Sequence, residues 1–274
     1  MRLGALLVAA ALLAPARLTP VEAATGWLTR QQQADGGFAE PGRASDPSLT
    51  AWSVLALQAA GAADSSLAVK YLSNQPYPTA ADLALRVLAL DALRADARAL
   101  VERLASLQRP DGRIGALVNS TAWSVIALRA VGRPAPRAAV RYLLGRQHAS
   151  GGWSWAPHGA PDSNDTAAVV QALRAAGVRG RPIERAIAYL RRLQAPSGGF
   201  RLLPGRAPDA QSTAWAIQAF VAARKPAPLA ALRFLLRLQQ PNWSFRYSVR
   251  YAATPVLVTA QVIPALLGKP YPLP

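Results

Sequence analysis

The apolar residues of this chain gather into one block that occurs six times. TAWSVLAL, starting at Thr50, reappears as LALRVLAL from Leu83, TAWSVIAL from Thr121, TAAVVQAL from Thr166, TAWAIQAF from Thr213 and TAQVIPAL from Thr259. The spacings are 33, 38, 45, 47 and 46 residues. Nearly every position in a block is small or apolar, which predicts a helix buried on all sides. Upstream of the blocks runs a second pattern, an aromatic residue and a Leu followed by a Gln and a glycine turn. It reads Trp27-Leu28 to Gln32 with ADGGF, Tyr142-Leu143 to Gln147 with ASGGW, Tyr189-Leu190 to Gln194 with PSGGF, and Phe234-Leu235 to Gln239 with PNWSF. Gln108 before RPDGRI is a partial copy and Gln75 before PYPT a degenerate one. In the stretch from Arg137 to Gln147 the bases Arg137, Arg141 and Arg146 fall near one side, while Ala139, Val140, Leu143 and Leu144 fill the other. That is the stripe of a helix with one wet face. A period of this size signals an array of supersecondary units. Six wet helices outside and six dry ones inside, alternating along the chain, predict an all-α fold, an α6/α6 toroid of helical hairpins.

The punctuation agrees with this plan. Gly61, Gly132, Gly177 and Gly268 stand where inner helices would end in a left-handed cap, and Pro134, Pro182 and Pro226 stop any continuation. Capping residues mark the expected starts: Asp46 before Pro47, Ser120, Asp162 or Ser163, Ser212, and Thr254 before Pro255. Connections from inner to outer helices are short. Those from outer to inner helices are long and all open on the face where the inner helices begin, so binding residues are expected there. Six converging helix N-termini favour an anion or an electron-rich group on that face.

Composition adds three points. The chain of 274 residues has no cysteine, which excludes disulfides, thiolate metal sites and cysteine nucleophiles. Its net charge of +17 is uneven: residues 1–112 hold 10 Lys/Arg and 10 Asp/Glu, whereas residues 113–274 hold 21 against 4. An acidic partner such as an anionic envelope surface fits that asymmetry, although 28 of the 31 bases are Arg in a chain also rich in Ala, Pro and Leu, as coding bias alone would produce. The N-terminus carries Arg2, an apolar run from Leu3 to Ala14 and the small-x-small site Ala14-Pro15-Ala16. This reads as a signal peptide over 1–16, with cleavage as late as Ala23 the alternative, followed by one toroid domain over 17–274. The expected location is outside the cell or in its envelope.

The turns at Gln32, Gln147 and Gln194, each QxxxGG followed by Phe or Trp, resemble the Gln-Trp repeats of the terpenoid cyclase and protein prenyltransferase superfamily. The resemblance covers about 20–270 and implies the toroid. It does not fix one function, because the superfamily hosts several. Prenyltransferase β-subunits hold zinc through Asp, Cys and His, and thioester domains need a reactive Cys; the only histidines here are His148 and His158. Squalene-hopene and class II diterpene cyclases protonate an alkene with the third residue of DxDD. The matching stretch here is Asp162-Ser163-Asn164-Asp165, with an amide where the acid should stand. Asp46 and Asp209 occupy the same place as Asp162 in other units, which argues for helix capping. Vitamin B12 carriers pair a similar toroid with a small β domain, which a separate partner chain could supply. Secreted bacterial repeat proteins resemble that toroid too, with endings of the kind TAQVIPALLGKPYPLP.

Candidate ligand contacts are therefore Trp155 and His158 in the fourth loop, Arg201 and Arg206 in the fifth, and Arg246 and Tyr247 in the sixth. Trp52, Trp123 and Trp215, at one register in three units, are candidates for lining a central cavity. No phosphate loop, GxSxG elbow, HExxH or nucleic-acid reader is present. No metal, cofactor or nucleic-acid partner is expected. The favoured reading is an exported toroid that binds a small ligand, corrinoid-like or glycan, or a partner over its loop-rich face and lacks the cyclase acid. The alternative is a divergent class II terpene or squalene cyclase using Asp162 or Asp165.

Overall fold

In a computed structural model describing residues 18–63 and 66–273, twelve helices form two nested rings. The signal-peptide assignment for 1–16 lies outside the described residues. The outer helices are α1 (Pro20–Thr29), α3 (Ser66–Ser73), α5 (Arg98–Ser106), α7 (Arg137–Gly145), α9 (Arg181–Arg192) and α11 (Leu229–Arg237). The inner ones are α2 (Pro47–Ala59), α4 (Ala80–Ala92), α6 (Val118–Ala130), α8 (Ser163–Ala175), α10 (Ala210–Ala222) and α12 (Pro255–Leu266). Each inner helix packs on the two inner helices beside it, and α12 closes the ring on α2. Among the described residues no β-strand forms; isolated bridges pair turn residues only.

Burial follows the expected division. In α6 every residue from Ser120 to Leu128 is buried, while α7 buries only Ala139, Tyr142 and Leu143. Asp46, Asp162 and Asp209 cap α2, α8 and α10, each accepting the backbone N–H three residues on. Three expected caps are corrected. Ser212 receives the cap from Asp209 and does not supply it, and Ser120 lies inside α6, where its hydroxyl accepts the N–H of Leu117 at 3.1 Å. Thr254 has the left-handed conformation (φ 46°) and makes no side-chain cap to α12. Instead Glu40 reaches over from the first loop and accepts the N–H groups of Val256 and Leu257 at 3.0 and 2.9 Å. A carboxylate on exposed helix N–H groups is a charge-assisted bond, and here it joins the last hairpin to the first.

The repeat threonine holds each unit together. The hydroxyl oxygens of Thr50, Thr121, Thr166, Thr213 and Thr259 accept the backbone N–H of Phe38, Ile114, Trp153, Phe200 and Phe245 at 2.8 to 3.1 Å. The buried turn would otherwise leave that N–H unpaired. The turn's Gln side chain satisfies a carbonyl of the same turn, as Gln194 does for Gly198 at 2.9 Å. Gln147 and Gln239 also reach the next outer helix, at the carbonyls of Pro182 and Pro20. The Gln239 contact is a second closure of the ring. Gly151 and Gly198 must be glycine for two reasons: φ is +96° and +93°, and a Cβ would stand 2.5 and 2.3 Å from the carbonyl oxygens of Arg185 and Ala230.

Candidate functional site

One end of the torus is closed and the other is open. At the end where the inner helices begin, a cavity of about 370 Å³ lies among them, lined by all six inner helices. Its lining follows a register that the repeats set. Two residues before the repeat threonine, or before Leu83 in the second unit, stand Ser48, Ala81, Asn119, Asn164, Gln211 and Leu257, which form the rim. One helical turn deeper, two residues after it, stand Trp52, Leu85, Trp123, Trp215 and Gln261. Residues four apart on a helix share a face, so rim and floor are successive layers of one inward-facing stripe. Asp82 and Asp165, one residue before the repeat position in the second and fourth units, complete the wall.

The floor is built from the three tryptophans. Their rings meet edge to face, with centroids 5.1 Å apart for Trp52 and Trp123, 5.2 Å for Trp123 and Trp215, and 5.6 Å for Trp52 and Trp215. Such contacts are favoured by the ring quadrupole. Below them the C-terminal tail crosses the axis and seats Tyr271 against Trp52 and Trp123 at 5.9 and 5.8 Å. Gln171 accepts the Tyr271 N–H at 2.8 Å, and Gln218 donates to the Lys269 carbonyl at 3.1 Å. Among the described residues the cavity is therefore blind, with no channel through the axis.

The carboxyl groups are unequal. Asp165 is buried and takes a 2.6 Å hydrogen bond from the Asn119 side chain on the neighbouring helix. Burial first, and then the adjacent Asp162 carboxylate with its hydrogen bond, push the Asp165 carboxyl up to about 8. Asp162 is also raised by burial, opposed by its hydrogen bonds to Asp165 and to the start of α8. Burial thus favours the protonated form of Asp165. Asp82 is half-buried and committed to structure on one side, where Oδ2 accepts the Thr79 hydroxyl at 2.6 Å and closes a capping box on α4. Its Oδ1 accepts the Ser48 hydroxyl at 3.1 Å. The buried Trp215 Nε1 and Gln261 Oε1, on two neighbouring wall helices, have no hydrogen-bond partner. One is a donor and the other an acceptor, the pair that a hydroxyl satisfies.

The loop candidates lie elsewhere. None of Trp155, His158, Arg201, Arg206, Arg246 and Tyr247 lines the cavity. Trp155 is 57 % exposed, and its carbonyl accepts the Asn119 N–H at 3.2 Å, which sets it above the third unit's rim. His158 and Arg206 are exposed. Tyr247 is half-buried; its hydroxyl is pushed up by burial first and then by Asp209, to which it hydrogen-bonds. Arg201 and Arg246 are half-buried, and their N–H groups bond to the carbonyls of Leu193 and Leu238 beneath their turns. Asp162 caps α8 behind the wall, whereas Asp165 faces the cavity. Ser48, Asp82, Asn119, Gln211 and Gln261 were not singled out from sequence. The signal for them is the inward register of the repeat, one or two residues before and two after each repeat position, where polar residues replace apolar ones in some copies. Among the described residues no group of three or more His, Asp or Glu is placed to hold a metal ion, and no helix is long and apolar enough to cross a membrane.

The family model for the prenyltransferase alpha-alpha toroid domain matches residues 5–177 and 172–260. No curated protein matches the chain in sequence. Among solved structures, the type II terpene cyclase MstE from Scytonema superposes with a TM-score of 0.70 at 19% identity, over 90% of this chain and 96% of that one. A protein from Actinoplanes gives 0.68 at 17%, over 91% and 98%. A glycosidase variant in complex with glucose gives 0.66 at 14%, over 90% and 95%. At such identities the likeness is one of fold.

Proposed function

The chain belongs to the prenyltransferase alpha-alpha toroid family, and within that family we propose that it is an exported binding protein for a small, uncharged, hydroxyl-rich molecule such as a sugar. The observation that carries this reading is the two-layered lining of the blind cavity. An aromatic floor of Trp52, Trp123 and Trp215 lies under a rim of Ser48, Asn119, Asn164 and Gln211, with the carboxyls of Asp82 and Asp165 beside it. A sugar offers C–H faces to stack on indole rings and hydroxyls that both donate and accept. A neutral Asp165 and the side-chain amides can do the same from the wall. At about 370 Å³ the cavity is at the small end of the roughly 300–1,000 Å³ typical of ligand pockets. A corrinoid would rest across its mouth and need a separate β-domain chain above it.

A second reading has a specific observation in its favour. Asp165 keeps its proton at neutral pH beside a tryptophan-lined chamber, as a divergent class II cyclase would require. MstE variants of this fold are in complex with geranylgeranyl dihydroxybenzoate and with merosterolic acid A, as the glycosidase is with glucose. Three points weigh against cyclisation. Asn164 stands where the resemblance would put the acid, and an amide cannot donate that proton. A carboxyl raised to about 8 holds its proton too firmly for the demanding protonation of an alkene. The wall, moreover, is rich in polar groups that an isoprenoid would leave unpaired.

Intrinsic tryptophan fluorescence tests both readings, because the floor reports whatever sits on it. Titration with mono- and disaccharides is expected to change the emission saturably, and Gln211→Ala and Asn119→Ala are expected to weaken the response. Turnover of squalene or a linear isoprenoid diphosphate that disappears in Asp165→Asn would establish the enzyme instead.

A further inference from the structure

Part of the basic charge gathers at the closed end. Of the four carboxylic residues after Arg113, Asp162, Asp165 and Asp209 sit at inner-helix starts on the open end. Glu184, exposed in the first turn of α9, is the one that lies at the closed end, three residues after Arg181. The closed end, where α8 and α10 finish, carries Arg174, Arg179, Arg181, Arg224 and Lys225. Of these, all but Arg174 are exposed. Among the described residues the ion pairs are Arg98 with Asp96, Arg113 with Asp111 and Arg133 with Glu102, so no base after Arg133 is paired. The bases are close enough to repel. Arg174 is pulled down from its ordinary value by burial first and then by the charges of Arg179 and Arg224.

The same end bears exposed leucines. Short connections join inner to outer helices there, and the tail that seats Tyr271 seals the axis. Leu229, just beyond the Arg224-Lys225 turn, is 68% exposed, and Leu267, capping the adjacent α12, is 37% exposed. Bases set beside exposed apolar side chains are the composition of a surface that meets lipid headgroups, where charge attracts and leucine enters the boundary layer. A nucleic-acid strand or an acidic glycan would use the charge and leave the leucines in water.

We propose that the closed end docks on an anionic phospholipid surface through Arg179, Arg181, Arg224, Lys225 and Leu229, leaving the cavity facing away from the bilayer. This holds whatever the cavity binds. The test is co-sedimentation of the full chain with phosphatidylglycerol-containing vesicles, with pure phosphatidylcholine vesicles as reference. Binding is expected only to the anionic vesicles and is expected to fall steeply with salt. The triple variant Arg179→Glu, Arg224→Glu, Lys225→Glu should lose at least about tenfold in affinity while keeping its helical circular dichroism. Arg250→Glu, exposed in the sixth loop at the open end, should change it little. Leu229→Ser should weaken binding without altering the salt dependence. Equal binding to both vesicle types would overturn the proposal, and so would anionic binding that survives the triple variant. A loss in Arg250→Glu as large as in the triple variant would refute the closed end as the docking face. Displacement by heparin or DNA at concentrations where Leu229→Ser has no effect would reassign the surface to a polyanion.

Discussion

The first, third and fifth hairpins send Trp52, Trp123 and Trp215 to the axis, while the second, fourth and sixth place Leu85, Ala168 and Gln261 at the same register. Large and small side chains thus alternate around the ring. Six helices of nearly equal length leave a central space that six large residues would overfill and six small ones would leave empty. Three indoles, each flanked by smaller neighbours, close it edge to face. The second and fourth hairpins then add what the odd ones lack, a carboxyl one residue before the repeat position, in Asp82 and Asp165. Odd units supply the floor; the second and fourth supply the acids of the wall. Exact repetition would have given a symmetric plug with no asymmetric ligand site.

The alternation can be broken from either side. Trp123→Ala removes a buried indole that touches both other tryptophans and Tyr271. It is expected to cost about 3–5 kcal/mol, the range for large-to-small changes in a packed core, and to abolish the fluorescence response to any cavity ligand. Urea unfolding measures the first effect and titration the second. Leu85→Trp makes the opposite error by putting a fourth indole into a floor sized for three. Overpacking of this kind costs about 1–3 kcal/mol, and the cavity should lose volume. An unchanged unfolding midpoint for either variant would mean that the odd and even registers are not distinct.

The second hairpin also lacks the repeat threonine, having Leu83 there, and its turn has no glycine pair. Thr and turn go together, because the Thr hydroxyl exists to satisfy the N–H of the turn's aromatic residue. Thr166→Val in the fourth hairpin would leave the buried Trp153 N–H, now bonded at 2.9 Å, without a partner. A loss of about 1–3 kcal/mol is expected, read as a lower midpoint with an unchanged slope. A neutral result would mean that the repeat Thr is not a tie.

Most of the architecture was legible because it rests on local, repeated signals. The TAxxxxAL blocks, the glycine turns and the Asp caps each repeat in phase, so a worn copy in one unit is corrected by the others. The site was less legible for the opposite reason. Its tryptophan floor repeats at one register, but its rim and wall residues do not, and their meeting depends on closure of a ring whose ends are more than two hundred residues apart, as in the Glu40 contacts with α12. Loop aromatics and arginines drew attention by their chemistry, whereas the cavity wall uses plain residues such as Asn119 and Gln211 at inward positions. In sequence Asp165 stands out only as an alternative cyclase acid. Only the structure sets it beside Asn119 and the tryptophan floor.

That carboxyl gives the smallest effect at low pH and the most discriminating pH profile. In the folded chain Asp165 titrates at about 8, against 3.8 for an ordinary Asp. Between those values the folded protein holds a proton that the unfolded chain has released, so stability must decline as pH rises through the window. The contribution is fully present below 3.8 and lost above 8. Asp162 and Asp209, also raised by burial, act in the same direction. Asp165→Asn keeps the shape and removes the titration. Its melting temperature should equal that of the parent near pH 4 and exceed it by a growing margin toward about pH 9. A parent and a variant with parallel profiles would mean that Asp165 is already ionised in the fold. The neutral wall group assigned to the even side of the cavity would then be a carboxylate, and a cationic ligand would replace the sugar.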